Sequence, residues 1–220
     1  MVVVLFDLEG TLVRSMEMDP EAVEQYRTKT REKLVELGIP RNILGWERTS
    51  TLMRNKAIEY VEKHFTKEET KSFKVGMDRF LRNYELRWAD NSRVFPDTIP
   101  ALRKLKGLGI KMGVITNTSR NAANHMLLSH RLVSFFKVVI TREDVSRLKP
   151  DPEGIRLALK RLNARKFVLV GDLVYDSNAA KNAGGLSVIV NRDTSRKLEF
   201  QADYVVGSLM EVLNLMPHLQ

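Results

Sequence analysis

The chain begins with a continuous apolar run, which predicts a buried strand. Val2–Phe6 is apolar at every position, a pattern that favours a strand covered on both faces at the centre of a parallel sheet. Asp7 follows directly, and Glu9, Gly10 and Thr11 come after it. Because open α/β sheets bind ligands beyond the carboxyl ends of their strands, Asp7 is a candidate functional residue. Turns also favour Asp and Gly, so a turn-forming Asp7 with a solvated Glu9 is the alternative interpretation.

Between residues 15 and 92 the apolar positions recur with a helical period, and no stretch alternates as a strand does. Asp19-Pro20-Glu21 is typical of a helix start, with a capping residue, a proline in the first turn and an acidic residue. Thr66, with Glu69 three residues later, predicts a capping box at the start of another helix. This part of the chain is therefore predicted to be an all-helical insertion.

After residue 93 the predicted strands and helices alternate. The strands are expected at Met112–Ile115, Val138–Ile140, Phe167–Val170, Ser187–Val190 and Tyr204–Val206. Such alternation indicates a doubly wound parallel sheet with right-handed crossovers. The predicted fold is therefore an α/β core formed by residues 1–14 and 93–220, with an all-helical domain, residues 15–92, inserted after the first strand.

The composition is typical of a globular protein, since 43% of the 220 residues are hydrophobic and 29% are charged. No apolar stretch reaches the roughly 18 residues that span a bilayer, so no membrane partner is predicted. The N-terminal apolar run is too short for a signal-peptide core and lacks a basic leader, which predicts a cytoplasmic location. The absence of cysteine excludes disulfides, thiolate zinc sites and cysteine nucleophiles. The four histidines are not paired at metal-ligand spacing, which argues against a zinc enzyme.

The net charge of +9 lies in the second part of the chain. Residues 1–92 contain 16 basic and 16 acidic residues, whereas residues 93–220 contain 20 basic and 11 acidic ones. The basic residues are scattered along predicted helices and form no block or aromatic-interleaved stripe, so no nucleic-acid partner is predicted. Attraction of a small anionic substrate, or no function at all, explains the excess better.

Polar residues follow four of the predicted strands. They are Asp7 with Glu9, Thr116 with Asn117, Lys149, and Asp172 with Asp176. Because parallel strands point their carboxyl ends to the same edge, these groups are expected to converge. Carboxylates without histidine or cysteine indicate an oxygen-ligand Mg²⁺ site, and the hydroxyl, amide and lysine indicate a phosphoryl site. A solvated loop lysine at Lys149 and a helix cap at Asp176 are the structural alternatives.

These motifs resemble those of the haloacid dehalogenase (HAD) superfamily of aspartate-nucleophile phosphohydrolases, with a helical cap of the C1 type. They stand in order as Asp7-Leu8-Glu9-Gly10-Thr11, Val114-Ile115-Thr116-Asn117, Lys149-Pro150-Asp151-Pro152 and Gly171-Asp172-Leu173-Val174-Tyr175-Asp176. The resemblance covers the whole predicted core and implies a Rossmann-like HAD fold.

The resemblance also implies roles for the residues. Asp7 would be the nucleophile that forms an aspartyl-phosphate, and Glu9 the general acid and base. Thr116, the backbone N–H of Asn117 and Lys149 would hold phosphate oxygens.

A magnesium ion is implied by the same resemblance. Asp7, the backbone carbonyl of Glu9, and Asp172 would hold it, with Asp176 acting directly or through water. The ion would offset the repulsion between an anionic nucleophile and a phosphate dianion.

Glu9 departs from the usual Asp-x-Asp pattern of the phosphatases. Its extra methylene moves the carboxyl group by on the order of one ångström, and an error of that size can cost roughly a hundredfold in rate. Three interpretations are open: a working acid–base on a slightly shifted backbone, a site suited to good leaving groups, and the Asp-x-Glu-Gly-Thr variant of the enolase-phosphatases. The Thr116-Asn117 pair resembles the general phosphatase pattern more than that variant.

Specificity is expected in the helical insertion, which by resemblance closes over the site. Arg14, at the hinge, is a candidate substrate-binding residue, and Asn42–Ser50 is the candidate specificity loop. Simple packing of Trp46 and Trp88 between helices is the alternative interpretation.

The predicted function is a Mg²⁺-dependent phosphatase acting on a small phosphorylated metabolite, either phosphoglycolate-like or a sugar phosphate. The alternatives are an enolase-phosphatase-like enzyme, a 2-haloacid dehalogenase, and a HAD-fold binding or regulatory protein with little turnover. Glu9 and the Gly171–Asp176 motif argue against the dehalogenase, whose sites lack the second acidic residue. The sequence is compatible with a monomer or a homodimer.

Overall fold

A computed structural model describes residues 2–15, 20–47, 49–193, 198 and 201–219. Its main sheet has six parallel strands. They are β1 (Val2–Phe6), β4 (Met112–Ile115), β5 (Val138–Ile140), β6 (Lys166–Gly171), β7 (Leu186–Val190) and β8 (Tyr204–Val206). The order β5-β4-β1-β6-β7-β8 reverses direction at β1, so the sheet is doubly wound and the predicted α/β fold is confirmed.

The first strand lies between β4 and β6, where both faces are covered. Leu5 pairs with Gly113 on one side and with Leu169 on the other. Successive side chains of a strand point to opposite faces, and here Val4 belongs to one hydrophobic cluster while Leu5 belongs to the other. This explains why the strand is apolar at every position rather than at alternate ones.

Helices cover both faces of the sheet. They are α5 (Thr98–Gly107), α6 (Arg120–Ser129), α7 (Glu153–Leu162), α8 (Val174–Asn182) and α9 (Leu209–Leu219), with short 3₁₀ helices at Val133–Phe135 and Arg142–Asp144. Helices α5, α6 and α9 contribute to the first cluster, and α7 and α8 contribute to the second. None of the described helices is both long and apolar enough to cross a membrane.

Four helices make up most of the described chain between residues 20 and 90. They are α1 (Pro20–Glu36), α2 (Arg41–Leu44), α3 (Ser50–His64) and α4 (Lys67–Asp90). The capping box of Thr66 and Glu69 is present, whereas Asp19 lies outside the described residues. A third hydrophobic cluster is built entirely from this region, and the division into two domains stays a prediction.

Two features connect the helical region to the sheet. Strands β2 (Val13–Arg14) and β3 (Arg93–Val94) pair antiparallel where the chain leaves and returns. The last turns of α4 reach further, because Leu86 and Ala89 pack into the first cluster of the core. Helix α4 is thus held directly against the residues that cover the sheet.

Candidate active site

Asp7 lies where β1 ends, and a buried lysine contacts it. The backbone N–H of Asp7 donates to Val170 O at 2.8 Å, which keeps the residue in register with β6. The Lys149 ammonium lies 2.7 Å from Asp7 Oδ1 and 2.6 Å from Asp176 Oδ1, and all three side chains are buried. Lys149 is therefore not a solvated loop residue, and Asp7 is more than a turn former.

Three carboxylates meet at this end of the sheet. Asp7, Asp172 and Asp176 each offer an oxygen, and these atoms all lie within 4.8 Å of one another. Asp172 accepts a hydrogen bond from the Thr11 hydroxyl at 3.3 Å. Asp176 Oδ2 accepts from the backbone N–H groups of Asp172 and Leu173 at 3.2 and 3.1 Å, so Asp176 caps α8 while its other oxygen binds Lys149.

Two glycines make room for these carboxylates. Gly10 has a φ of +79°, a conformation that side chains rarely adopt, and a Cβ there would overlap the Asp172 carboxyl group. A Cβ on Gly171 would overlap the side chain of Asp176. The close approach of the first and last motifs therefore requires glycine at position 10, and the folding of the last motif back on itself requires glycine at position 171.

The electrostatics of the cluster favour a bound cation. Burial raises the pKa of Asp7 to about 6, although the Lys149 ammonium opposes the rise. Burial and the charges of Asp176 and Asp7 raise the pKa of Asp172 well above its usual value. Burial works against the charge of Lys149, but its two carboxylate partners outweigh that effect, and the pKa of the ammonium lies above its usual value. One lysine thus faces three carboxylates.

The donor set fits Mg²⁺ or a similar hard cation. All the clustered donors are carboxylate oxygens, which are the ligands that such cations prefer, and neither histidine nor cysteine belongs to the cluster. Burial and mutual repulsion raise the pKa values of Asp7 and Asp172, and a divalent ion would offset both effects.

Glu9 is buried and hydrogen-bonded rather than solvated. Its carboxylate Oε2 accepts a hydrogen bond from the Thr118 hydroxyl. Burial raises the pKa of Glu9 to about 7; the Thr118 hydrogen bond opposes the rise, and the charge of Glu85 adds to it. A carboxyl group with a pKa near neutrality can both donate and accept a proton, which is what general acid–base chemistry requires.

Thr116 and Asn117, which follow β4, line the cavity, and Asn117 also holds the backbone of Lys149. Thr116 is buried, and its hydroxyl accepts from the Thr118 N–H at 3.2 Å. The side chain of Asn117 accepts from Lys149 N at 3.0 Å and donates to Lys149 O at 3.3 Å. The resemblance implied a role for the backbone N–H of Asn117, and the structure adds that its side chain fixes the backbone of Lys149.

The fold and this cluster can be compared with known proteins. Residues 4–190 match the family described as haloacid dehalogenase-like hydrolase. The chain belongs to this family. It is therefore a HAD hydrolase, and the predicted resemblance and enzyme class are confirmed.

Related proteins align with almost the whole chain. Pyrophosphatase PpaX from Listeria monocytogenes is 28% identical over 218 residues, covering 96% of this chain and 94% of the relative. Glyceraldehyde 3-phosphate phosphatase from Methanocaldococcus jannaschii is 29% identical over 230 residues, covering 99% and 97%. The crystal structure of a HAD phosphatase from Thermococcus onnurineus is similar with a TM-score of 0.62 and 27% identity, covering 98% of each chain.

The cluster of Asp7, Lys149 and Asp176 opens into a cavity of about 270 Å³. The cavity lies between the end of the sheet and the helices of residues 20–90. From the core it is lined by Asp7, Glu9, Thr116, Asn117, Lys149 and Asp176. From the helical region it is lined by Tyr26, Arg27, Thr49, Ser50, Glu85 and Trp88, among others. The cavity therefore brings both parts of the chain to the same small space.

The predicted specificity residues are placed unevenly around this cavity. Arg14 is exposed on β2 and is not among the lining residues. Of Asn42–Ser50, Thr49 and Ser50 line the cavity and Arg48 lies outside the described residues, whereas Trp46 is 98% exposed. Packing therefore accounts for Trp88, which contacts Tyr26 at a ring distance of 4.7 Å, but not for Trp46.

A buried ion pair between Arg142 and Glu85 lies beside the cavity, and no motif in the sequence predicts it. Arg142, in the 3₁₀ helix after β5, donates through Nη1 to Glu85 Oε1 and through Nη2 to Glu85 Oε2 at 3.0 Å. Glu85 Oε2 also accepts from the backbone N–H of Ser119 at 3.1 Å. Both charged side chains are almost fully buried, so α4 is bound to two loops of the core.

Proposed function

We propose that the chain is a Mg²⁺-dependent phosphohydrolase that acts on a small phosphorylated metabolite through an aspartyl-phosphate on Asp7. The observation that carries this proposal is the buried Asp7–Lys149–Asp176 cluster, with Asp172 beside it and a small cavity in front of it. The relatives named as phosphatases support the same substrate class.

The reaction uses two carboxyl groups in two steps. Asp7 attacks phosphorus, forming an O–P bond while the bond to the leaving oxygen breaks and Glu9 gives that oxygen a proton. Glu9, now ionised, then takes a proton from the water that attacks the aspartyl-phosphate. Inorganic phosphate leaves, and Asp7 and Glu9 return to their starting states.

Neighbouring groups hold the phosphoryl oxygens during both steps. The Thr116 hydroxyl, the Asn117 N–H and the Lys149 ammonium are the proposed donors, and their hydrogen bonds stabilise the charge that moves onto those oxygens. Asp7, the Glu9 carbonyl, Asp172 and Asp176 would hold the Mg²⁺ ion. The bound ion supplies positive charge that lets the Asp7 anion approach a phosphate dianion.

The environment of Glu9 supports a working acid–base rather than a silenced site. Its carboxylate is held by Thr118 at the rim of the cavity, and its pKa of about 7 suits proton transfer near neutral pH. The helical region, residues 15–92, acts in this proposal as the cap. The hydrogen bond from Tyr175 OH to Thr49 Oγ1, 2.8 Å long, supports its closure over the loop that carries Asp172 and Asp176.

The proposal predicts that metal removal abolishes turnover. We expect p-nitrophenyl phosphate hydrolysis to fall by about a hundredfold or more in EDTA, because the clustered carboxylates then repel the substrate. Excess Mg²⁺ should restore the rate. Full activity after exhaustive chelation would contradict the metal-dependent reaction, and no activity with Mg²⁺ on any phosphomonoester would contradict a phosphohydrolase.

Replacing Thr118 with Val is predicted to impair the acid–base step selectively. Without the hydroxyl the Glu9 carboxyl group loses the donor that orients it, and we expect kcat to fall by about tenfold to a hundredfold with glycerol phosphate, whose leaving group needs a proton. The loss with p-nitrophenyl phosphate, which has a good leaving group, should be much smaller. Steady-state rates with both esters measure the difference.

Two further variants calibrate this test. Thr118→Ser keeps the hydroxyl, so its kcat with both esters should stay close to the wild-type value. Glu9→Gln should lower kcat with glycerol phosphate more than Thr118→Val does, again with a smaller loss on p-nitrophenyl phosphate. An equal loss with both esters in Thr118→Val would mean that the hydroxyl maintains local structure and does not orient Glu9.

A further inference from the structure

The charges that line the active-site cavity are mostly compensated inside the protein. The Lys149 ammonium is bound by Asp7 and Asp176, and the Glu85 carboxylate is bound by Arg142. Arg27 is the remaining cation among the described lining residues. The contact described for its guanidinium is a 3.3 Å ion pair with Glu24, whose side chain is 70% exposed. A pair this exposed contributes little, so a bound anion can replace it.

The position of Arg27 is set by the residue before it. Tyr26 is buried and packs edge-on against Trp88, with ring centroids 4.7 Å apart. This contact fixes which face of α1 is turned toward α4. Arg27, next in the chain, then lies on the cap side of the cavity, while Asp7 lies on the sheet side.

The wall beside Arg27 is polar and favours negative charge. Thr49, Ser50 and Thr51 line the cavity at the first turn of α3, where backbone N–H groups carry partial positive charge. The Ser50 hydroxyl oxygen is shielded from solvent and has no hydrogen-bond partner within the described part of the chain. These groups supplement the guanidinium, which is the charged element of the wall.

We propose that Arg27 binds a second anionic group of the substrate, a carboxylate or a second phosphate, while Asp7 attacks the phosphoryl group. This proposal rests on the proposed function and narrows its substrate class to small phosphorylated compounds with two anionic ends. The planar guanidinium matches either anion with two parallel hydrogen bonds. The cavity volume of about 270 Å³ suits a short compound.

Selectivity between substrates tests the role of Arg27. Wild type and Arg27→Met are compared with Mg²⁺ on phosphoglycolate and pyrophosphate, which carry a second anion, and on glycerol phosphate and p-nitrophenyl phosphate, which do not. We expect Arg27→Met to lower kcat/KM by about tenfold to a hundredfold for at least one of the first two, mainly through KM, and to change the others by less than about threefold. Which of the two responds identifies the carboxylate or the phosphate as the anion.

Arg27→Lys and Lys29→Met are the matched variants. The lysine keeps the charge without the planar fork and should recover part of the affinity. Lys29 lies on the same helix but pairs with Glu32 outside the cavity, so its replacement should leave all four substrates unchanged. An equal effect of Arg27→Met on all four substrates, or no effect on any, would overturn the second-anion site.

A binding measurement separates this proposal from the catalytic one. Asp7→Asn is titrated calorimetrically with phosphoglycolate and pyrophosphate in Mg²⁺, with and without Arg27→Met. A tenfold or larger loss of affinity for one of these ligands on adding Arg27→Met supports the site even if turnover is absent. Unchanged affinity for both, or no binding, refutes it. Hydrolysis of phosphomonoesters by wild type in Mg²⁺ is measured separately, and the absence of activity on all of them refutes the proposed function.

Discussion

Replacing Asp7 with Asn is expected to reduce Mg²⁺-dependent hydrolysis of p-nitrophenyl phosphate by about a thousandfold or more. An amide nitrogen or oxygen is a poor nucleophile, so the O–P bond of the first step does not form. The change keeps the side-chain volume, and Lys149 retains its 2.6 Å contact with Asp176. The fold should therefore survive, and the effect should lie in kcat.

Acid quenching provides a direct test of the covalent step. Wild type quenched during turnover should gain the mass of one phosphoryl group on the peptide that contains Asp7, and Asp7→Asn should gain none. Asp90→Asn is the control, since Asp90 is an exposed residue paired with His125 away from the cavity. If Asp7→Asn retained turnover comparable to wild type while Asp90→Asn behaved normally, Asp7 would not be the nucleophile.

Replacing Arg142 with Met is expected to destabilise the protein by about 3–5 kcal/mol. The variant leaves the Glu85 carboxylate buried without its cation, and it also removes the 3.1 Å hydrogen bond to Asp78. Removing one partner costs more than the pair itself contributes, because the remaining charge cannot reach water. Urea unfolding followed by circular dichroism measures the change in the free energy of unfolding.

Two comparisons identify the buried charge as the cause. Arg161→Met removes a guanidinium that is 46% exposed and paired with Asp144, and it should cost less than about 1 kcal/mol. The double variant Arg142→Met with Glu85→Gln removes both charges and keeps an acceptor for the Ser119 N–H, so it should be more stable than Arg142→Met alone. If Arg142→Met were no less stable than Arg161→Met, the buried charge would not be the cause.

The sheet and its motifs could be predicted because they depend on short stretches of chain. The apolar run at Val2–Phe6 requires burial on both faces, and the structure provides it between β4 and β6. The convergence of Asp7, Lys149 and Asp176 follows from parallel strands whose carboxyl ends meet at one edge. The capping box at Thr66 is likewise decided within a few residues.

Other features depended on how the elements pack. The sequence treated Lys149 as a possible solvated residue, whereas Asn117 fixes its backbone from 32 positions away and two carboxylates bind its ammonium. The expected specificity loop contributed Thr49 and Ser50 to the cavity but leaves Trp46 exposed. Arg27 belongs to no sequence motif, and its place beside the cavity depends on how α1 packs against the rest of the protein.

The sequence by itself determined the α/β core, the order of its motifs and the chemical types of residue at the strand ends. These are local properties, because hydrophobic period, capping and glycine turns act over a few neighbouring residues. Only the tertiary structure decided that Arg142 pairs with Glu85 across 57 positions and that Arg27 shares a cavity with Asp7. A buried charged side chain needs a partner, and the packing of distant elements decides which residue that is. The residues next to it in the sequence therefore do not predict the pair.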